Sequence, residues 1–211
     1  MMRDFEPLST AFYRRDPRDV ARGLLGRYIL RRYGRRSLVL RIVETEAYLG
    51  QGDRASHAWR GRPTARTATL FRAGGCAYVY FVYGMHNMLN AVAGREGVGG
   101  AVLIRAGEPV CEIEAMRRLR GLPAGAPDYA VASGPGKLCQ ALAIDRSFDG
   151  VELAGRELRV CRGSRVDRRR VAVGPRVGVA YAGAAARWPL RFAIRGNRHV
   201  SRPHPEGALA P

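Results

Sequence analysis

Short apolar runs alternate with glycine- and arginine-rich breaks along the chain, and this pattern predicts more strands than helices. RYILRRY and SLVLRIVETEAYL, separated by Gly34-Arg35-Arg36, are typical of two strands joined by a tight turn. AYVYFVY, at residues 77–83, predicts a third strand, with GMHN as a turn and MLNAVA as its return partner. Further strands are predicted at AVLIRA and at residues 153–160, 171–179 and 190–195.

Three segments have helical patterns. Asp16-Pro17 begins a helix that ends at Gly26, residues 112–120 place apolar side chains on one helical face, and Ser133-Gly-Pro-Gly begins a helix through LCQALAI with Ser133 as the capping hydroxyl. Strands and helices do not alternate regularly, which predicts an α+β fold with a largely antiparallel or mixed sheet. The sequence lacks an internal repeat or a long linker, so we expect one domain over residues 1–211, with 202–211 as a flexible tail.

A polar, irregular segment runs from about residue 50 to 72 and contains Arg60, Arg62 and Arg66. It is too long for a simple connection, and loops of this length usually carry function. We expect these arginines to contact phosphate groups.

The charge of the chain is strongly positive, with 36 Lys and Arg against 18 Asp and Glu, a formal net charge of +18. All of the basic residues except Lys137 are arginines, whose guanidinium groups bind phosphate in a bidentate manner. This composition predicts a polyanionic partner. The absence of an apolar leader or of a run of roughly 18 apolar residues predicts a cytoplasmic, nucleoid-associated protein without a membrane segment.

Four cysteines and four histidines are scattered without metal-finger spacing, so neither a zinc site nor a disulfide framework is predicted.

Glu44 and Glu46 share one face of the predicted strand RIVETEAYLG, and Tyr48 follows on the same face. Two carboxylates on one face repel each other, which favours a functional role for at least one of them, although a solvated acidic edge strand is the simpler alternative. Tyr78 and Tyr80 likewise share a face, and they are either core residues or a platform on which unstacked bases stack.

Several long motifs occur together in one order: RIVETEAYLG, the D-x-x-x-H spacing of Asp53 and His57, YVYFVYGMHNMLN, AVLIRA, SGPGKLCQALAI and RVGVAYAG with PLRFAIRG. From about residue 8 to 201 the chain thereby resembles the alkyladenine (3-methyladenine) DNA glycosylase family. The resemblance implies a single mixed domain with a curved antiparallel sheet, flanking helices and a β-hairpin that protrudes into the DNA minor groove. It also implies hydrolysis of the N-glycosidic bond of damaged purines flipped out of duplex DNA.

Carried over by position, the resemblance implies that Glu46 is the general base that activates water for attack on C1′. Arg105 and the backbone of Val177 match groups that help hold this water, and we expect Glu44 to support the site from behind these residues. Tyr48, together with His57 and Tyr80, matches the walls that enclose the extruded base.

Asn90 matches a residue that crowds the 2-amino group of guanine and so rejects the undamaged base. Tyr83 matches the side chain that wedges into the duplex, and its neighbours Met85 and His86 are expected to contact DNA at the hairpin tip. The sequence departs from the family at Ala65, Thr67 and His86, which stand where proline, asparagine and tyrosine are usual, so we expect a less rigid loop and an altered substrate range.

Schiff-base glycosylases need a desolvated amine, whereas the single lysine, Lys137, follows SGPG at a helix start, where it is suited to a phosphate. The sequence therefore predicts a monofunctional, monomeric enzyme without metal or cofactor that acts on double-stranded DNA containing damaged purines. Two alternatives stay open: a non-catalytic basic nucleic-acid-binding module, to which Glu46 would be useless, and a hydrolase of free nucleosides, to which the hairpin wedge would be useless.

Overall fold

The structure, a computed structural model, describes residues 5–205. Within this range eight strands form one sheet: β1 Tyr28–Tyr33, β2 Arg36–Tyr48, β3 Ala77–Val82, β4 His86–Ala93, β5 Gly100–Cys111, β6 Leu158–Cys161, β7 Val171–Gly174 and β8 Arg191–Ile194. Five short α-helices accompany it: α1 Thr10–Tyr13, α2 Pro17–Leu24, α3 Ile113–Leu119, α4 Tyr129–Ala132 and α5 Pro135–Ala141. Single-turn and longer 3₁₀ helices lie at Ala68–Phe71, Arg146–Phe148, Arg168–Arg170 and Ala180–Arg187.

The sheet is built around the long strand β2, and all its pairings are antiparallel. The strand order is β3-β4-β5-β2-β1-β6, and β8 pairs with both β2 and β7. Along one edge β2 pairs with β5, whereas along the other it pairs first with β1 and then, from Glu44 to Glu46, with β8. Register shifts on either side of Glu44 mark an irregularity of the kind that bends a strand. The predicted α+β class with an antiparallel sheet is confirmed.

Local signals explain the elements that the sequence predicts best. Asp16 caps α2 by accepting a hydrogen bond from the Arg18 backbone N–H, and Pro17 occupies the first turn. Val20 and Leu24 then face the core beside β2. Gly26 is required after this helix, because its φ is +79° and a Cβ there would lie 2.3 Å from the carbonyl oxygen of Ser164.

The start of α5 differs from the prediction. Its N-cap is Gly134 and no side chain caps it, so the expected capping role of Ser133 is wrong. Ser133 instead forms an isolated β-bridge with Ala106 of β5, so its backbone pairs with the sheet before the helix begins. The helix α4 immediately before it was not predicted.

Three predicted strands are also shorter than expected: β6 begins only at Leu158, β7 ends at Gly174 and β8 spans four residues. After β7 the chain leaves the sheet, and Val177, Gly178, Val179 and Tyr181 line the pocket described below.

The predicted hairpin is formed by β3 and β4 and closes over residues 83–85. His86 and Asn87 belong to β4 and pair with Val82 and Phe81, so the turn is shorter than the predicted GMHN segment. At the C-terminus, Pro205 is buried close to Gly174, and the rest of the predicted tail, residues 206–211, lies outside the described residues. Between residues 5 and 205, no helix has the length and apolarity needed to cross a membrane.

Candidate active site

The end of β2 carries two carboxylates into the interior. Glu44 and Glu46 are both fully buried and both approach the guanidinium of Arg105 on β5, which confirms that they share one side of the strand. Thr45 lies between them and donates its hydroxyl in a different direction, to the carbonyl oxygen of Ala21 at 2.9 Å. The period of two predicted from the sequence therefore holds across the irregularity.

Glu46 is surrounded by donors. Its Oε1 accepts a hydrogen bond from the Val177 backbone N–H at 2.8 Å and lies 3.4 Å from Nη1 of Arg105. Its Oε2 accepts from the Tyr48 hydroxyl at 2.9 Å. Burial and the neighbouring Glu46 carboxylate raise the pKa of Tyr48 well above its ordinary value, so this hydroxyl stays protonated and donates.

Glu44 is held by different partners. Its Oε1 accepts from Nε of Arg191 at 2.6 Å and from Nε of Arg105 at 3.2 Å. Ser201 donates to the same carboxylate twice, through its backbone N–H to Oε2 at 2.7 Å and through its hydroxyl to Oε1 at 3.1 Å.

The two carboxylates are thus matched by two buried guanidinium groups, those of Arg105 and Arg191. Burial by itself lowers the pKa of Arg105, but Glu46 and Glu44 outweigh this effect and raise the pKa. Buried charges are tolerated when they are paired and hydrogen-bonded, and these four side chains meet that condition. We call Glu44, Glu46, Arg105, Arg191 and Ser201 the charged cluster.

A pocket of about 350 Å³ lies above the charged cluster. Its floor includes Tyr48, Arg105 and Val177, which contact the carboxylate oxygens of Glu46, so the carboxylate lies directly behind the pocket wall. The volume is within the range of small-molecule sites, about 300–1,000 Å³. Its remaining wall is largely aromatic and aliphatic.

Three aromatic rings form one side of this pocket. The ring of His57 lies 4.6 Å from that of Tyr80, and Tyr78 and Tyr80 are 5.5 Å apart, centroid to centroid. Nδ1 of His57 is 3.0 Å from the Tyr78 hydroxyl. Partial burial, and then the nearby Arg66, lower the pKa of His57, which favours a neutral imidazole at neutral pH. Burial raises the pKa of Tyr78 to about 12.

Asn90 lines the same pocket from β4 and is buried. Its amide nitrogen donates to the backbone carbonyls of Tyr78 at 3.2 Å and Met88 at 3.3 Å. These bonds fix the position of the amide within the wall.

The long loop after β2 is anchored by an ion pair that the sequence reasoning missed. Arg176 and Asp53 are both fully buried and form two contacts, of 2.6 and 2.8 Å. Asp53 also accepts from the backbone of Leu49 and Ala55, and the Arg176 guanidinium lies 4.7 Å from the centre of the Tyr48 ring. The pair therefore joins the loop, the segment that carries Val177 and a pocket wall. Both residues lie in motifs quoted for the family resemblance, which was the available signal.

The tip of the β3–β4 hairpin stands at the rim of the pocket. Tyr83 lines the pocket yet is 80% exposed, and Met85 is 64% exposed. Tyr83 and Gly84 both have positive φ, +55° and +68°, as in the turns that hairpins favour. Tyr181 is a second exposed aromatic residue of the rim that was not predicted.

His86 does not lie at the tip. It is half-buried in β4, and its ring packs so closely on Gly136 that a Cβ there would lie 2.9 Å from the ring. The other predicted site residues Glu46, Arg105, Val177, Tyr48, His57, Tyr80 and Asn90 come together at the pocket and directly beneath it.

The predicted phosphate contacts are all exposed. Arg60 lies against the Trp59 ring at 4.9 Å, and Arg62 and Arg66 follow it in the same loop. Lys137 lies in a groove of about 760 Å³. This groove adjoins the pocket, with which it shares Arg105 and Pro135, and its other basic residues are Arg198, Arg202 and His204.

Within residues 5–205, no three His, Cys, Asp or Glu side chains form a group that could hold a metal ion. Cys76, Cys111, Cys139 and Cys161 are all free.

The open antiparallel sheet places a buried glutamate, paired with an arginine, behind an aromatic pocket. An exposed hairpin tip lies at the rim of this pocket, and the protein as a whole is basic. This arrangement is expected of a base-excising glycosylase. The family model described as methylpurine-DNA glycosylase matches residues 11–198.

Proteins of other organisms match this chain over nearly their whole length. A protein of Methanocella arvoryzae is 45% identical over 92% of this chain and 95% of its own, and one of Anaeromyxobacter dehalogenans strain 2CP-C is 48% identical over 94% and 88%. A protein of Myxococcus xanthus is 42% identical over 97% and 98%. Each carries the name "Putative 3-methyladenine DNA glycosylase".

The chain belongs to the methylpurine-DNA glycosylase family. It is accordingly a DNA glycosylase that takes part in the base excision repair of alkylated bases, and its substrate is DNA.

Proposed function

We propose that the protein flips alkylated or deaminated purines out of duplex DNA and hydrolyses their N-glycosidic bond, leaving an abasic site. Its substrates would belong to the class of 3-methyladenine, 7-methylguanine, hypoxanthine and ethenoadenine. The observation that carries this proposal is the position of Glu46, which is buried behind the pocket wall and paired with Arg105 at 3.4 Å.

Glu46 is the general base of this mechanism. A carboxylate has about four acceptor sites, and the hydrogen bonds from Val177 and Tyr48 leave room for a water molecule. The water oxygen bonds to C1′ while the bond from C1′ to the purine nitrogen breaks, and the electron pair leaves with the base. Glu46 takes the water proton, and its negative charge stabilises the positive charge of the oxocarbenium-like transition state. Arg105 and Val177 help to hold the water and Glu46 in place.

The extruded base is enclosed by Tyr48, His57 and Tyr80. Aromatic faces stack on any purine, so discrimination needs other groups. A neutral His57 has a ring nitrogen that can hydrogen-bond to the base edge, which its lowered pKa favours. Asn90, with its amide fixed by two backbone carbonyls, crowds the 2-amino group of undamaged guanine.

Duplex DNA is engaged around this pocket. Tyr83 fills the gap that the flipped nucleotide leaves, and Met85 contacts the neighbouring duplex. Arg60, Arg62 and Arg66 on one side, and Lys137 in the adjoining groove, bind phosphates. The exposed position of the single lysine in the groove supports a hydrolytic reaction without a Schiff base. We further propose that the enzyme acts as a monomer and associates with the nucleoid, and that neither metal nor cofactor takes part.

The test is a panel of duplexes, each with one of the four lesions, and one undamaged duplex with guanine at the same position. We expect strand breaks at one or more lesions only after alkali, which cleaves abasic sites, and none at guanine. Breaks before alkali would contradict the monofunctional mechanism. Tight binding without any break under either condition would contradict the proposed catalytic function and favour a binding module.

A further inference from the structure

Ser201 has an unusual number of contacts for a residue outside the pocket. It is buried, and its backbone N–H and hydroxyl both donate to Glu44, at 2.7 and 3.1 Å. Its hydroxyl oxygen accepts from Nη2 of Arg105 at 3.4 Å, and its carbonyl oxygen accepts from Arg191 at 3.0 Å. One serine near the C-terminus therefore contacts three members of the charged cluster.

Arg105 is oriented by these contacts. Its Nε bonds to Glu44, its Nη2 to Ser201, and its remaining nitrogen, Nη1, lies 3.4 Å from Glu46. A guanidinium is planar and rigid, so fixing two nitrogens sets the direction of the third.

We infer that Ser201 is a positioning residue for the excision reaction, which holds Arg105 against Glu46 by satisfying the competing carboxylate of Glu44. This inference rests on the proposed role of Glu46. Two buried carboxylates share the guanidinium of Arg105, and the donors of Ser201 reduce the need of Glu44 for that cation. When the hydroxyl is lost, Arg105 moves toward Glu44 and away from Glu46.

The displacement has a consequence that depends on pH. A carboxylate beside a cation holds its proton less tightly, so a reaction that needs an ionised carboxylate loses activity at a higher pH once the cation moves away. Glu46 faces Tyr48 on its own strand, Tyr80 on β3 and Arg105 on β5, with Glu44 and Arg191 beyond Arg105. Burial raises the pKa of both tyrosines, so they do not titrate in acid, and the difference between variants reports on the charged cluster.

The experiment measures single-turnover excision from pH 4.5 to 9 for the wild type and for Ser201→Ala. We expect the rate at neutral pH to fall by about tenfold, the effect of one lost interaction of ordinary strength. The acid limb of the profile should move to higher pH by roughly half a unit or more, and affinity for the duplex should stay within about twofold.

Thr45→Val is the matched control. It removes a buried hydroxyl from the same part of the fold, but one that bonds to Ala21 and not to the charged cluster. It should lower the melting temperature without moving the acid limb. Ser201→Cys, which keeps the size of the side chain and weakens its hydrogen bonds, should show the same shift as Ser201→Ala and serves if that variant does not fold.

A folded Ser201 variant whose rate and acid limb match those of Thr45→Val would overturn the inference while leaving the excision activity established. Failure of the wild type to excise any lesion would instead defeat the proposed function itself.

Discussion

The charged cluster and the hairpin tip meet at one pocket, yet they are built in opposite ways. In the cluster, Glu44 and Glu46 are fully buried and every contact distance to their arginine partners is 3.4 Å or less. At the tip, Tyr83 and Met85 are exposed apolar side chains on a turn whose backbone has positive φ.

The contrast indicates that the charged cluster acts through contacts within the protein, whereas the hairpin tip acts through contact with DNA. Groups that stabilise charge in a reaction are most effective when they are fixed beforehand in a dry site, and the cluster is fixed by its own contacts. Exposed apolar residues at a strained turn gain little from the folded protein, so their use lies in contact with another molecule. Substitutions in the cluster should therefore change chemistry or stability, and those at the tip should change only the encounter with DNA.

The largest effect is expected at Glu46. Glu46→Gln keeps the shape of the side chain but cannot take up the proton of water, so single-turnover excision should fall by about 10²–10⁴-fold. Binding to lesion-containing duplex should be retained, since Glu46 lies behind the pocket wall.

The matched control is Glu108→Gln, which removes a carboxylate from the partly exposed pair with Arg41. Near-normal excision by Glu46→Gln would place the base elsewhere, with Glu44 as the first residue to examine.

A second substitution tests whether the buried ion pair between Asp53 and Arg176 stabilises the fold around the pocket. Asp53→Asn leaves the buried charge of Arg176 without its carboxylate, and we expect unfolding free energy to fall by about 3–5 kcal/mol in a denaturant titration. Glu108→Gln breaks a partly exposed pair and should cost at most about 1 kcal/mol. Equal losses in the two variants would contradict the distinction between buried and exposed pairs.

Much of the fold is predictable because its signals are local. Asp16-Pro17 caps α2, and alternation with a turn signal defines both β1–β2 and β3–β4. The predictions fail where a distant segment decides the local structure, as at Ser133, whose backbone pairs with Ala106 instead of capping a helix.

The same division applies to the site. The shared face of Glu44 and Glu46 follows from strand period, whereas the positions of Arg105 and Val177 came only from the resemblance to a family. The contacts of Asp53 with Arg176 and of Glu44 with Ser201 join residues 123 and 157 positions apart. No periodicity within a segment encodes such pairs, since they depend on how the sheet and the C-terminal segment come together.

The hairpin tip offers the sharpest comparison, because the β1–β2 hairpin also ends in Tyr-Gly. Tyr83→Ala should lower excision by roughly tenfold or more, since holding a nucleotide out of the stack costs a few kcal/mol. Its unfolding free energy should stay within about 0.5 kcal/mol of the wild type. Tyr33→Ala, at the other tip, should change neither quantity.

The stability measurement decides how Tyr83 is used. A loss of roughly 3–5 kcal/mol, typical of a removed core aromatic, with excision intact would show that Tyr83 packs within the fold instead of wedging into DNA.

The smallest expected effect is at Arg66, an exposed residue of the long loop that lies beside both Tyr78 and His57. Arg66→Gln would remove one of the proposed phosphate contacts, so the slope of log K against log salt concentration should become shallower by about 0.9. Burial and then Arg66 both lower the pKa of His57, so the loss of Arg66 should also raise this pKa in an NMR titration. Arg35→Gln, at the β1–β2 tip, should change neither measurement. A wild-type affinity that does not depend on salt would contradict arginine contacts with the DNA backbone altogether, because release of counterions from the duplex accompanies every such contact.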